Sequence, residues 1–346
     1  MSSDDTAGSL FELPPEPARG AGGVEPASTD EELQRLARRL PRSIYLGTSS
    51  WSFPGWQRIV YGGAHTEAQL ARLGLAAYGR HPLLRAVGID RGFYQPLKCE
   101  QYAGYAGQVP EHFRFVVKAP ARVTDAVLRG ERGAPAAENP SFLDPVLARE
   151  QFVEPALRGL GARAGPLVFQ LSPLPRPLAA DGGHELIDNL GVFLRQLPRD
   201  VDGMTPVYAV ELRNAELLTP RFVRMLHDAG ARLCIGIHAA MPAAARQAAA
   251  LRALDAPDAE GDDWRLAGPL VVRWSLHAGL RYDDAKNRYA PFDRLLDPDL
   301  ITRGTLAHLA HVAIRSGQPA FIIANNKAEG SAPLTCIELA RAIVGQ

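Results

Sequence analysis

Cysteine is scarce in this chain: Cys99, Cys234 and Cys336 stand far apart, with no C-x-x-C spacing. That pattern excludes a disulfide framework and a thiolate zinc site. The acidic N-terminus lacks the basic start and apolar core of a secretory leader, so the cytoplasm is the expected compartment. No apolar run reaches the length of a membrane span. An excess of either charge is missing too, since Lys plus Arg and Asp plus Glu number 38 each. Neither nucleic acid nor a membrane is therefore expected as a partner. Signature motifs are absent as well. No G-x-G-x-x-G follows the first apolar run, which speaks against a dinucleotide fold. There is no G-x-S-x-G nucleophile elbow, and no H-E-x-x-H or H-x-H for a metal.

What is present is alternation. Residues 1–28 are rich in Pro, Gly and Ala without hydrophobic period and read as a disordered or loosely docked tail. Thr29-Asp30-Glu31-Glu32 reads as a capping box opening a short helix that carries Leu33, Leu36 and Leu40 on one stripe. Apolar runs then recur at 44–46, 84–89, 113–117, 167–169, 207–210, 232–237, 270–274 and 320–324. Helical spacing recurs between them and again at 333–344. Runs rich in Val, Ile, Leu and Phe that alternate with helices predict a parallel sheet covered by helices, and eight of them predict closure. The expected architecture is a single TIM-type (β/α)8 barrel domain over 29–346. The long stretches after the third and seventh runs are left as loops.

In such a barrel the ligand site lies at the carboxyl ends of the strands. Nearly every run here closes on polar groups: Ser49, Ser50 and Trp51; Asp90 and Arg91; Lys118; Gln170; Glu211 and Arg213; His238; Arg273 and His277; Asn325, Asn326 and Lys327. Along the fifth strand Val207, Ala209, Glu211 and Arg213 share one face. Arg213 and Arg273 are expected as anion clamps, because guanidinium forks match carboxylate or phosphate. Glu211 between them is expected as an ionised proton-transfer group. Lys118 reads equally as an anion anchor or acid/base group and as the ion-pair partner of a carboxylate. Gln170, Asn325 and Asn326 would orient hydroxyls or carbonyls. Trp51, Trp56 and Tyr94 would wall the site or fill the rim. Asp90, Glu211, His238 and His277 could supply ligands to a divalent metal, although no spacing supports one and no cofactor is expected.

The segments GTSSWSFPGW (47–56), FYQPL (93–97), FRFVVKAPARVT (113–124), GPLVFQLSP (165–173), YAVELRN (208–214), VVRW (271–274) and ANN (324–326) resemble, in this order, the DUF72 (YecE-like) family of uncharacterised proteins. The resemblance spans about residues 43 to 344 and implies a TIM barrel without an established activity. It implies a shared cluster at Trp51, Tyr94, Lys118, Gln170, Glu211, Arg213, Arg273, Asn325 and Asn326. The chain departs from the pattern at Gly88 and Asp90, where the family typically has Glu and Asn. It also departs at Asp125 and Asn214, where His is usual, and at Lys327, where an aromatic or His is common. A divergent member is therefore expected.

The leading expectation is a metal-independent enzyme using acid/base chemistry on a small anionic or sugar-like ligand. Arg213, Arg273 and Lys118 would bind the anion, and Glu211→Gln would spare the fold while abolishing turnover. The alternatives are a non-catalytic ligand-binding or regulatory barrel and a metal-dependent phosphodiesterase or endonuclease-like barrel.

Overall fold

A computed structural model describes residues 23–129, 135–258 and 263–345. The eight apolar runs form eight parallel strands: β1 (Ile44–Thr48), β2 (Leu84–Ile89), β3 (Arg114–Lys118), β4 (Ala164–Gln170), β5 (Tyr208–Glu211), β6 (Arg232–Ile237), β7 (Leu270–Trp274) and β8 (Ala320–Ala324). They close in the order β1-β8-β7-β6-β5-β4-β3-β2, so the expected barrel is found. Helices follow the strands in turn, among them Glu67–Tyr78, Cys99–Ala106, His184–Gln196, Pro220–Ala229, Ala244–Asp255, Leu300–Arg315 and Ala332–Gly345. Among the described residues no helix is long and apolar enough to cross a membrane.

Strand alternation sorts the apolar residues into two separate clusters. Outward-facing residues such as Val87, Phe115, Phe169, Val210, Ile235, Val272 and Ile322 join the large core beneath the helices. Inward-facing residues make a smaller plug: Ala86, Val116, Val168, Ala209, Cys234, Val271, Phe321 and Ile323, with Tyr45 packed against it. Two residues further along each inward face come Gly88, Lys118, Gln170, Glu211, Gly236, Arg273 and Asn325. Among them Gln170 pairs with Glu211, and Gly236 with Arg273. The charged residues thus form the storey above the apolar plug, at the C-terminal end of the barrel.

Several boundaries differ from expectation. Asp30, not Thr29, caps the first helix, Glu31–Arg39, its Oδ1 accepting from Leu33 N at 2.7 Å. The expected tail lies outside the described residues up to position 22. From Gly23 the chain is docked: Val24 is buried, and Ala27 N donates to Val60 O at 2.9 Å. The two long loops are not structureless. The first holds an antiparallel ribbon, Val127–Arg129 with Pro135–Glu138. The second holds a helix, Tyr282–Tyr289, that buries only Ala285 and Tyr289. Such a small apolar footprint leaves no hydrophobic period to detect.

Between β1 and β2 the register shifts between Leu46 and Gly47. A Cβ at Gly47 would fall 2.0 Å from Ala86 O, a backbone atom that cannot swing aside. Gly47→Ala is expected to destabilise by about 1–3 kcal/mol or more through overpacking. A urea midpoint equal to that of the wild-type protein would show that the strands separate freely there.

Candidate functional site

Glu211 has 0% exposure, and its carboxylate lies between two guanidiniums. Oε2 accepts from Arg273 Nη1 at 2.6 Å, and Oε1 lies 2.6 Å from Arg213 Nη2. Both arginines also donate to Gln170 Oε1, at 2.8 Å from Arg273 and 3.0 Å from Arg213. The second nitrogen of Arg273 donates to Asp90 Oδ2 at 2.6 Å. Gly236 makes room for this arrangement, since a Cβ there would sit 3.0 Å from Glu211 Cγ. Burial alone would raise the Glu211 carboxyl, but Arg213 and Arg273, and then Lys118, outweigh it and hold the group below the ordinary carboxylate range. For Arg273, Asp90 and Glu211 likewise outweigh burial, and the guanidinium stays charged.

Lys118 stands apart from this network. Its ammonium makes no hydrogen bond or ion pair among the described residues and rests over the Phe93 ring, 3.5 Å from the centroid. Burial, then the nearby Arg273, lowers its pKa to about 8, while Asp90 and Glu211 oppose the shift. Of the two readings left open for this lysine, pairing with a carboxylate is not what the geometry supplies. The aromatic partner is Phe93, which the sequence reading passed over for its neighbour. Tyr94 is 85% exposed on the rim and packs edge-on against Phe93.

The other candidates divide by strand parity. Asn325 shares the inward parity of Ile323 and meets the mouth, donating to Ser49 Oγ at 2.8 Å and accepting from Lys327 N at 3.0 Å. Asn326 has the opposite parity. It is buried, and its Oδ1 accepts from Trp56 Nε1 at 3.1 Å and from Ala332 N at 2.8 Å, which makes it a brace of the β8 loop. Trp56 is fully buried, and Trp51 is nearly so, with its indole N–H directed at Ala71 O. Both side chains work inside the fold. His238 is half-buried, and its Nδ1 accepts from Ala240 N at 3.2 Å, leaving Nε2 to carry the proton of the neutral ring. Burial and Arg213 lower its pKa, keeping it neutral. His277 binds the carbonyl of Ala278 at 2.8 Å through its ring.

Among the described residues no three His, Cys, Asp or Glu side chains come together as a ligand group. A cation at Glu211 would also face Arg213 and Arg273. Cys234 lies in the plug beneath Glu211, where burial pushes its thiol well up, as befits an inert buried cysteine.

A broad concavity of about 680 Å³ opens elsewhere, lined by Phe142, Pro177, Leu178, His184 and Phe193. It contains none of the strand-end charges.

The sequence model of the family described as "Protein of unknown function DUF72" matches residues 45–346. A DUF72 family protein of Enterococcus faecalis is 17% identical, with a TM-score of 0.53 over 87% of this chain and 95% of that one. A DUF72 family protein of Thermotoga maritima is 16% identical, with a TM-score of 0.54 over 86% and 98%. At these identities the likeness to the solved structures shows a shared fold. No curated protein matches the chain.

The two central charges have opposite stability signatures. Glu211→Gln removes the only charge between two buried guanidiniums and should cost about 3–5 kcal/mol. That departs from the expectation that the fold would be spared. Lys118→Met removes a desolvated charge without a partner and should stabilise by about 1–3 kcal/mol at pH 7. Between pH 8 and the ordinary value of 10.5, the unfolded chain holds a proton that the folded chain has released. Wild-type stability therefore climbs with pH through that window, and the advantage of the variant shrinks. Denaturant titrations of both variants at pH 7 and 10 measure this. A Lys118→Met protein less stable than wild type at pH 7 would contradict it.

Proposed function

The chain belongs to the DUF72 family, a family of unknown function, and from the make-up of its charged layer we propose that it is an enzyme. It would act by proton transfer on a small anionic or sugar-like molecule at the C-terminal mouth of the barrel. The observation that carries this reading is Lys118, an ammonium at the binding end of the barrel that makes no ion pair among the described residues. Three cations, Lys118, Arg213 and Arg273, face two carboxylates, Glu211 and Asp90, so the layer keeps one unmatched positive charge. An anionic ligand supplies the missing partner.

The residues divide the work. Lys118, with its pKa near 8, can both give and take a proton at physiological pH, the condition for an efficient acid/base group. Glu211 has both oxygens engaged and no exposure, so it holds the two guanidiniums in place and leaves proton transfer to the lysine. Arg273 is fully committed to Glu211, Gln170 and Asp90. Arg213 is the freer clamp, since its Nε–H is buried and donates to nothing. Gln170 and Asn325 complete the polar rim, with Tyr94 and Asp90 at its open side.

The test uses the small number of lysines, four in the whole chain. After reductive ¹³C-methylation, one of the four lysine signals should titrate with a midpoint of about 8 and vanish in Lys118→Arg. In a screen of hydroxy acids, oxo acids and sugar phosphates, turnover should fall at least about a hundredfold in that variant. Four signals all titrating above about 10, or an arginine variant as active as wild type, would refute the assignment.

A further inference from the structure

We propose that Lys118 forms an imine with its substrate, and that the substrate is a small carbonyl compound bearing a carboxylate, a 2-oxo acid in class. This deepens the reading of Lys118 as the reactive amine of the mouth and rests on it.

The first support is the choice of residue. Only four of the 38 basic residues are lysine. Lys98 and Lys286 lie exposed on the surface, whereas Lys118 and Lys327 sit where β3 and β8 deliver their ends. A chain that meets nearly every cationic need with arginine would meet an anion-binding need the same way, because the guanidinium fork is the better carboxylate partner. What arginine cannot do is lose its proton and expose a lone pair. A lysine at this position in an arginine-rich chain marks a place where a neutral amine is used.

The second support is the setting. Among the described residues the Lys118 amine makes no hydrogen bond or ion pair, and two guanidiniums stand in the same layer. Desolvation beside other cations is how an amine is made nucleophilic near neutral pH, in keeping with its lowered pKa. The Phe93 face, 3.5 Å from Nζ, accepts an iminium as readily as an ammonium, because both are cations over a π-system. The third support is the carboxylate anchor. The Arg213 side chain is 9% exposed, and its Nε–H is buried without an acceptor, a donor left for a ligand oxygen. Cys234, the cysteine of the inward-facing plug, lies below the layer with its thiol held protonated.

The chemistry balances without a further reagent. The neutral Lys118 amine adds its electron pair to the carbonyl carbon. The nitrogen releases one proton to solvent and the carbonyl oxygen takes one up, which gives a neutral carbinolamine. That hydroxyl then leaves as water with one more proton, and the C=N bond forms. The resulting iminium acidifies the C–H next to it.

The experiment is reductive trapping with the full chain. Pyruvate and borohydride should place one N-(1-carboxyethyl) group on Lys118, read by peptide mass mapping, and leave Lys98, Lys286 and Lys327 unmodified. Acetone, which lacks the carboxylate, should trap at least about tenfold less, as should pyruvate in Arg213→Gln, the worth of one charge-assisted hydrogen bond. Mapping the wild-type protein locates the adduct even if Lys118→Arg folds poorly. Absence of an adduct at Lys118, while its ¹³C signal still titrates near 8, would overturn the imine and leave proton transfer standing. Acetone trapping as well as pyruvate would overturn the substrate class.

Discussion

The structure turns on one carboxylate placed inside a barrel. Glu211 is taken wholly out of water, which costs several kcal/mol for an unpaired ion and is offset only where partners and geometry are good. Here the partners are Arg273 from β7 and Arg213 from the end of β5, each within 2.6 Å. Each arginine is then fixed by what else it touches: Gln170 from β4 bonds both, and Asp90 from the end of β2 bonds Arg273. Four of the eight strands are thus tied together at one level by a single charge. The apolar plug below and the glycine at 236 exist in this geometry to let that happen.

The same constraint explains why Lys118 is left over. Glu211 has two oxygens and both are occupied; Asp90 lends an oxygen to Arg273. The third cation, on the inward face of β3, makes no ion pair among the described residues and lies over Phe93. The resemblance to the family implies a glutamate at the place of Gly88, on the same storey. With glycine there, a side chain would meet Ser49 backbone atoms at 3.2 Å, and the layer lacks the carboxylate that would have balanced its charge.

Most of the barrel was legible because buried parallel strands are short, apolar runs of fixed parity. The ranges 84–89, 232–237, 270–274 and 320–324 coincide with β2, β6, β7 and β8. The site was legible only in part. Polar residues close every strand, and sequence position alone treats Asn325 and Asn326 alike, although one meets the mouth and the other braces Trp56. Parity carried the missing information: Ile323 points inward, so Asn325 does and Asn326 does not. No such rule reaches Phe93 or Tyr94, which sit at and just beyond a short 3₁₀ turn. The helix Tyr282–Tyr289 escaped notice because its sequence, YDDAKNRY, is almost wholly polar, and it is held instead by ion pairs and hydrogen bonds to Asp297.

The histidines expected from the resemblance but absent here sharpen the functional argument. Asn214 stands at one such position, and its amide ties Leu174 N to the chain at 2.9 Å while donating to Glu216 at 2.8 Å. A group so engaged joins the loops after β4 and β5 and moves no proton. His238 does reach the layer, but burial and Arg213 keep it neutral, able to donate a hydrogen bond through Nε2 without carrying charge. Glu211 stays ionised and Arg273 stays charged across the physiological range. Among the groups that face this mouth, the one whose charge state changes near neutral pH is the amine of Lys118. The proposed proton transfer is assigned to that amine for this reason.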